Sequence, residues 1–132
     1  MVIHYTESLD GIETWQLDGF FVGWPHAPSP EMHLRLLSGS DHVVLAVDMG
    51  SGQVVGYVTA LTDGVLSSFI PLLEVLPAYQ GRGIGQGLMS RILHQLGHLP
   101  NVDLMCDPSV APFYERFGMK PCGGMVLRRP MG

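Results

Sequence analysis

The feature that most constrains this chain is a run of alternating glycines, Gly81, Gly83, Gly85 and Gly87, within VLPAYQGRGIGQGL at residues 75–88. So many glycines cannot carry a strand onward, so the run predicts a turn. Downstream, Ile84, Leu88, Ile92, Leu93 and Leu96 recur at helical spacing, with Ser90, Arg91, His94 and Gln95 on the other side, until Gly97 and Pro100 stop the pattern. Upstream, residues 65–76 read as one long strand interrupted by Pro71, which cannot donate to a ladder and marks a bulge or an edge. The unit is therefore strand, glycine turn, amphipathic helix. Free N–H groups at such a helix start can approach a ligand, and the helix dipole favours negative charge there, so the turn is an anion cradle. It lacks the Gly-Lys-Ser/Thr ending of a Walker loop. The dinucleotide pattern Gly-x-Gly-x-x-Gly also fails, because Gln86 or Leu88 stands where its third glycine belongs.

The remaining signals surround this unit with further strands. Residues 2–5 start β-prone, and Ser8 or Asp10 could cap a first helix with Ile12, Trp15 and Leu17 on its apolar side. Residues 19–25, GFFVGWP, read as an aromatic loop. Ser29-Pro30-Glu31 then opens a second helix with a cap, a proline in the first turn and an acid near the positive end of the dipole. Residues 42–47 (HVVLAV) and 54–61 (VVGYVTAL) are continuous apolar strand patterns joined by a hairpin loop. After the central helix come a short strand at 102–106, a short helix holding Phe113, Tyr114 and Phe117, and a tail at 119–129 able to pair as a hairpin around Gly123-Gly124. The order predicts an α+β domain, an α/β/α sandwich whose mixed, mostly antiparallel sheet carries helices on both faces. At 132 residues the expectation is a single domain spanning 1–132.

Charge narrows the function classes. The net charge of −5 lacks the basic face of a nucleic-acid binder. It divides unevenly, with nine acids against Arg35 alone in residues 1–74 and six bases against three acids in the rest. Either chance or a cationic ligand on one half and an anionic one on the other produces such a split. No apolar run is long enough to span a bilayer, which predicts no membrane partner. Two cysteines without a signal-like start fit a cytoplasmic setting, with Cys106 read as a small core residue in an apolar strand. The six histidines show no ligand spacing, so no metal is expected.

Gln80, Gly83 and Gly85 spell Gln/Arg-x-x-Gly-x-Gly/Ala, and APFYERFGM at residues 111–119 gives a Phe-Tyr-x-x-x-Gly run. In both motifs and in element order, nearly the whole chain resembles the GNAT superfamily of acetyl-coenzyme-A-dependent N-acetyltransferases. The resemblance implies that backbone groups of Gln80, Gly81, Arg82, Gly83, Ile84 and Gly85 hold the coenzyme's pyrophosphate. Leu73 and Val75 would pair with its pantetheine arm, in a V-shaped splay between the fourth and fifth strands to which Pro71 contributes. Arg82, with a neighbour such as Arg116, either adds a charged contact to phosphate or stands exposed.

The same resemblance makes Tyr114 the general acid that protonates the leaving thiolate; the alternative is a core aromatic with a satisfied hydroxyl. A base must also take a proton from the acceptor's ammonium. The strand positions where family members carry one, near Phe69 and Pro71, are not ionisable here. Glu74 is the nearest carboxylate, acting directly, through water, or merely as a charge at a strand end. The acceptor site is expected at the aromatic loop, with Phe21 and Trp24, and at His33 on the second helix, each with packing as its alternative. The expected activity is transfer of acetyl to a primary amine of a small, cationic acceptor in a ternary complex, with a second copy of the chain, in a homodimer, as an optional partner. A non-catalytic acyl-coenzyme-A-binding module is the alternative.

Overall fold

The computed structural model describes residues 1–131. Six strands and three helices follow in the order β1 (Ile3–Thr6), α1 (Pro30–Ser38), β2 (His42–Asp48), β3 (Val54–Thr62), β4 (Ser67–Ile70), β5 (Leu73–Val75), α2 (Ile84–Gln95), β6 (Asn101–Leu104) and α3 (Ala111–Glu115). Strands β1 to β4 run antiparallel in spatial order, and β6 adds to β4 in parallel. The expected mixed, mostly antiparallel sheet is thus present. No helix among the described residues is long and apolar enough to cross a membrane.

The two faces can be read off neighbouring residues of β3, because successive side chains point to opposite sides of a sheet. A Cβ built on Gly56 would lie 3.0 Å from Leu88 Cδ1 and 3.3 Å from Ile84 Cγ2, so α2 rests directly on that backbone. Next to it, Tyr57 points the other way and meets the His33 ring of α1 at 4.4 Å. Helices therefore cover both faces. On α2 the buried stripe is Ile84, Leu88, Met89 and Ile92, matching the spacing seen in the sequence. Each fully buried Leu or Ile there contributes about 1.5–3 kcal/mol.

Three expectations change. The first helix is only a 3-10 turn, Thr14–Leu17, since Gly11 and Gly19, both at positive φ, leave too few residues between them for a nucleated helix. The tail hairpin is absent: residues 117–131 form neither helix nor strand, and Met125 is 98% exposed. The long strand at 65–76 is two strands. Leu61 and Thr62 face Phe69 and Ser68, whereas Gly56, Tyr57 and Val58 face Val75, Glu74 and Leu73. Residues 70–72 thus oppose only Thr59 and Ala60, a one-residue bulge centred on Pro71.

That bulge positions the site. Before it, β4 pairs with β6; after it, β5 pairs with β3 alone. The fourth and fifth strand segments of the sequence reading therefore part where β6 ends at Leu104, opening a gap beside β5.

Candidate active site

At the start of α2, Gly81 and Gly83 adopt φ of 78° and 81°, a region that costs any side-chain-bearing residue about 1–2 kcal/mol. Gly83 is the N-cap and has no side chain to offer the helix, and the first helical bond runs from Gly87 N to Gly83 O. The amides of Gly83, Ile84, Gly85 and Gln86 are left without intrahelical acceptors. They border an open cavity of about 460 Å³ whose walls include Val75, Gln80, Phe113 and Arg116. Phe113 packs close to Gly85, where a Cβ would stand in ordinary contact with the ring at 3.6 Å.

The turn is tied to the sheet from behind. Tyr79 donates from its hydroxyl to Asp48 Oδ2 at 2.7 Å, and that bond holds the Asp48 carboxyl below its ordinary range, helped by Gly50 N–H. Neither residue carried a motif; Tyr79 stands out in the sequence only as an aromatic between Pro77 and Gly81. Arg82 lies over the Tyr79 ring and its guanidinium donates to Met1 Sδ. Its side chain is not among the cavity walls; Arg116 is. The cationic wall therefore comes from the neighbouring base that the sequence offered second.

Along β5 the hydrogen-bond parity separates the two edges. Thr59 N donates to Leu72 O and Leu76 N donates to Val55 O, so Leu72, Glu74 and Leu76 turn their backbone groups toward β3. Leu73 and Val75 turn theirs outward into the gap. There the Gln80 side-chain amide donates to Val75 O at 3.0 Å.

Tyr114 is half-buried with its ring against Phe113 at 5.0 Å. Burial raises its phenol above the ordinary range, and the nearby Cys106 adds to this, so the hydroxyl is protonated at neutral pH. Its hydroxyl makes no hydrogen bond among the described residues. Cys106 is not the core residue expected: β6 ends two positions earlier, and the thiol is exposed.

The opposite face of β5 carries Glu74. Both its oxygens accept from Phe21 N–H at 2.9 Å, Oε2 also from Val22 N–H at 3.2 Å, and the Tyr57 hydroxyl reaches Oε1 at 3.5 Å. The carboxylate thus clamps the aromatic loop onto the sheet. Phe20 and Phe21 are buried and Trp24 is half-exposed, its ring 5.1 Å from Phe21. Trp15 lies apart, donating to Glu13. His33 is fully buried among Phe20, Phe21 and Tyr57, and burial lowers its pKa from 6.5 to about 4. Neither ring nitrogen has a partner. As folded, His33 shows no surface to an acceptor. Tyr57 escaped the sequence reading because it sits inside an apolar strand run; burial first, then the Glu74 charge, raises its phenol far above the usual range. Among the described residues, no group of three His, Cys, Asp or Glu side chains is placed to hold a metal ion.

Known proteins resemble this chain in sequence and fold. Residues 9–119 match the model of the acetyltransferase (GNAT) family. A crystal structure from Deinococcus radiodurans R1, of a protein proposed to be an acetyltransferase, has a TM-score of 0.93 to this chain. The two are 48% identical, over 96% of this chain and 88% of that one. An uncharacterised ycf52-like N-acetyltransferase from Prochlorococcus marinus is 32% identical over 89% of this chain and 66% of its own length. The chloroplastic serotonin N-acetyltransferase 2 of Oryza sativa subsp. japonica is 29% identical over 84% of this chain and 58% of its own length. With an uncapped glycine turn beside a split sheet and a family model matched from residue 9 to residue 119, the chain belongs to the GNAT acetyltransferase family.

Proposed function

We propose that this chain moves the acetyl group of acetyl-coenzyme A to the primary amine of a small cationic acceptor by direct attack in a ternary complex. The observation that carries the reading is the row of uncapped amides at Gly83 to Gln86, facing a cavity walled by Arg116 and continuous with the Val75 end of β5. That arrangement suits a long thioester with phosphates at one end. The helix start takes pyrophosphate, Arg116 adds charge, and the outward groups of Leu73 and Val75 take the amides of the arm. Binding there displaces the Gln80 amide from Val75 O.

Tyr114 donates its proton to the departing thiolate as the acceptor nitrogen takes the acetyl group; its raised phenol suits a donor rather than a base. Glu74 draws the acceptor's ammonium toward β5 and takes its proton directly or through water. An aromatic acceptor fits the loop of Phe21 and Trp24, and a relative named for serotonin, itself an aromatic primary amine, supports that class.

A second reading, a binding module without turnover, draws on the same Glu74 contacts, which leave its oxygens engaged by loop amides. Free thiol release from acetyl-coenzyme A with a panel of amines separates the two. The proposed enzyme releases thiol, and Tyr114→Phe lowers kcat by about 10²–10⁴-fold while coenzyme affinity holds, the usual span for losing a general acid. Unchanged turnover in that variant removes Tyr114 from the role. Coenzyme binding with no thiol release on any amine favours the module.

A further inference from the structure

We propose that residues 125–129 are an exchanged strand: they leave their own chain and pair with the outer edge of β6 in a second copy, which returns its own tail in the same way. The inference concerns assembly and stands independently of the acetyl-transfer reading.

The receiving edge is open. Strand β6 pairs with β4 alone and ends the sheet. Asn101 N donates to Leu66 O and Asn101 O accepts from the Ser68 hydroxyl, so Asn101 and, by parity, Asp103 turn their backbone groups toward β4. Val102 and Leu104 turn theirs outward, where no backbone group among the described residues meets them. An uncovered edge of this kind is a template for another strand.

The donor is detached. Met119 still packs against the core, and a Cβ on Gly124 would lie 4.0 Å from Met105 Cε, so the chain runs beside its own body to that point. One residue later it has left: Met125 is 98% exposed, Val126 52% and Leu127 68%. Gly123-Gly124 forms the hinge. An apolar segment held in water while its own chain keeps a vacant edge is the arrangement of an exchanged element.

Pattern and charge select the partner. Antiparallel addition with Met125 and Leu127 on the face of Val102 and Leu104, both half-buried, brings apolar side chains together. The same pairing puts Val126 and Arg128 on the face of Asp103, which lies beside Phe69 and, beyond it, Leu61, an apolar pair that is otherwise exposed. Arg128 and Arg129 thus meet an edge whose charged residues, Asp103 and Asp107, are both acids. Every copy carries one donor and one acceptor, so a twofold pair uses both, whereas an unlike protein leaves the tail or the edge unfilled.

The test is sedimentation of the full chain over a hundredfold concentration range, joined to isotope-filtered NOEs in a mixture of labelled and unlabelled protein. A dimer is expected, with NOEs between copies from Val126 and Leu127 to β6. Leu127→Asp, at a position exposed in the single chain, is expected to weaken dimerisation by more than about tenfold while the chain stays folded. Asp103→Arg and Arg128→Asp each weaken it about tenfold, and the two combined in one chain restore it, which a merely disordered edge would not allow. A monomer throughout, tail NOEs to the chain's own β6 only, a dimer indifferent to Leu127→Asp, or no recovery in the double variant overturns the proposal.

Discussion

His33 makes acid stability a direct probe of the buried face. Its imidazole is wholly enclosed, and burial holds its pKa at about 4 against 6.5 when solvated. The folded state therefore refuses a proton that the unfolded chain accepts, and stability falls as pH drops from about 6.5 toward 4, levelling off below. Between pH 7.5 and pH 4.5 the linkage amounts to about 2–3 kcal/mol. His33→Phe removes the titrating group and fits a ring among Phe20, Phe21 and Tyr57. At pH 7.5 it is expected to equal or exceed the native stability, by up to about 2 kcal/mol, because it also removes two unpartnered buried nitrogens. At pH 4.5 its advantage grows by that further ~2–3 kcal/mol. The Asp48 and Asp63 carboxyls, both held low by hydrogen bonds, lose their own contributions over the acid range, but they do so in both proteins and cancel in the comparison. Denaturant unfolding at the two pH values reads the difference. Parallel losses in native and variant protein would refute the claim that His33 is a buried neutral group.

Other perturbations test the cofactor face. Gly83→Val places a β-branched residue at φ 81° in the N-cap, and acetyl-coenzyme A affinity by calorimetry is expected to fall by more than about tenfold through strain and crowding of the cradle. Arg116→Ala is expected to weaken coenzyme binding about tenfold with a shallower salt dependence, while Arg82→Ala changes it less than about twofold, because only Arg116 lines the cavity. Gly87→Ala drives a Cβ into the Tyr5 ring, 2.7 Å from Cζ, and is expected to cost about 1–3 kcal/mol in thermal or denaturant unfolding. Pairing it with Tyr5→Ala should recover much of that loss; no recovery would place the strain elsewhere.

The legible parts of this fold were those written in local chemistry. The 3.6-residue spacing from Ile84 to Leu96 and the Ser29-Pro30 start, where Ser29 Oγ accepts from Met32 N–H at 3.1 Å, need only their own neighbours. The tail misled because Gly123-Gly124 permits a hairpin without requiring one, and nothing in its sequence says whether a strand waits to receive it. The burial of His33 was invisible for a related reason. Its enclosure is made by Phe20, Phe21 and Tyr57, and no helical periodicity in α1 reports rings from a loop and another strand. Cys106 failed on a boundary, with β6 stopping at Leu104 rather than running through the thiol.

Pro71 shows how a legible residue can have an illegible consequence. The sequence predicted a distortion there but not its parity. With one residue added at 70–72, Glu74 lies opposite Tyr57 and shares its face, toward α1 and the aromatic loop. In the unbulged register that β4 sets, Glu74 would sit opposite Gly56, whose face is filled by Leu88 and Ile84. A carboxylate would then be buried against α2, and Leu73 and Val75 would aim their backbone groups at β3 instead of the gap. The single extra residue thus sets two things at once: the outward edge of a three-residue strand faces the gap proposed for the coenzyme, and its one charged side chain faces the aromatic loop proposed for the acceptor. On the proposed function, a register slip is expected to harm binding of both substrates together, whereas a change at Glu74 alone touches only the acceptor.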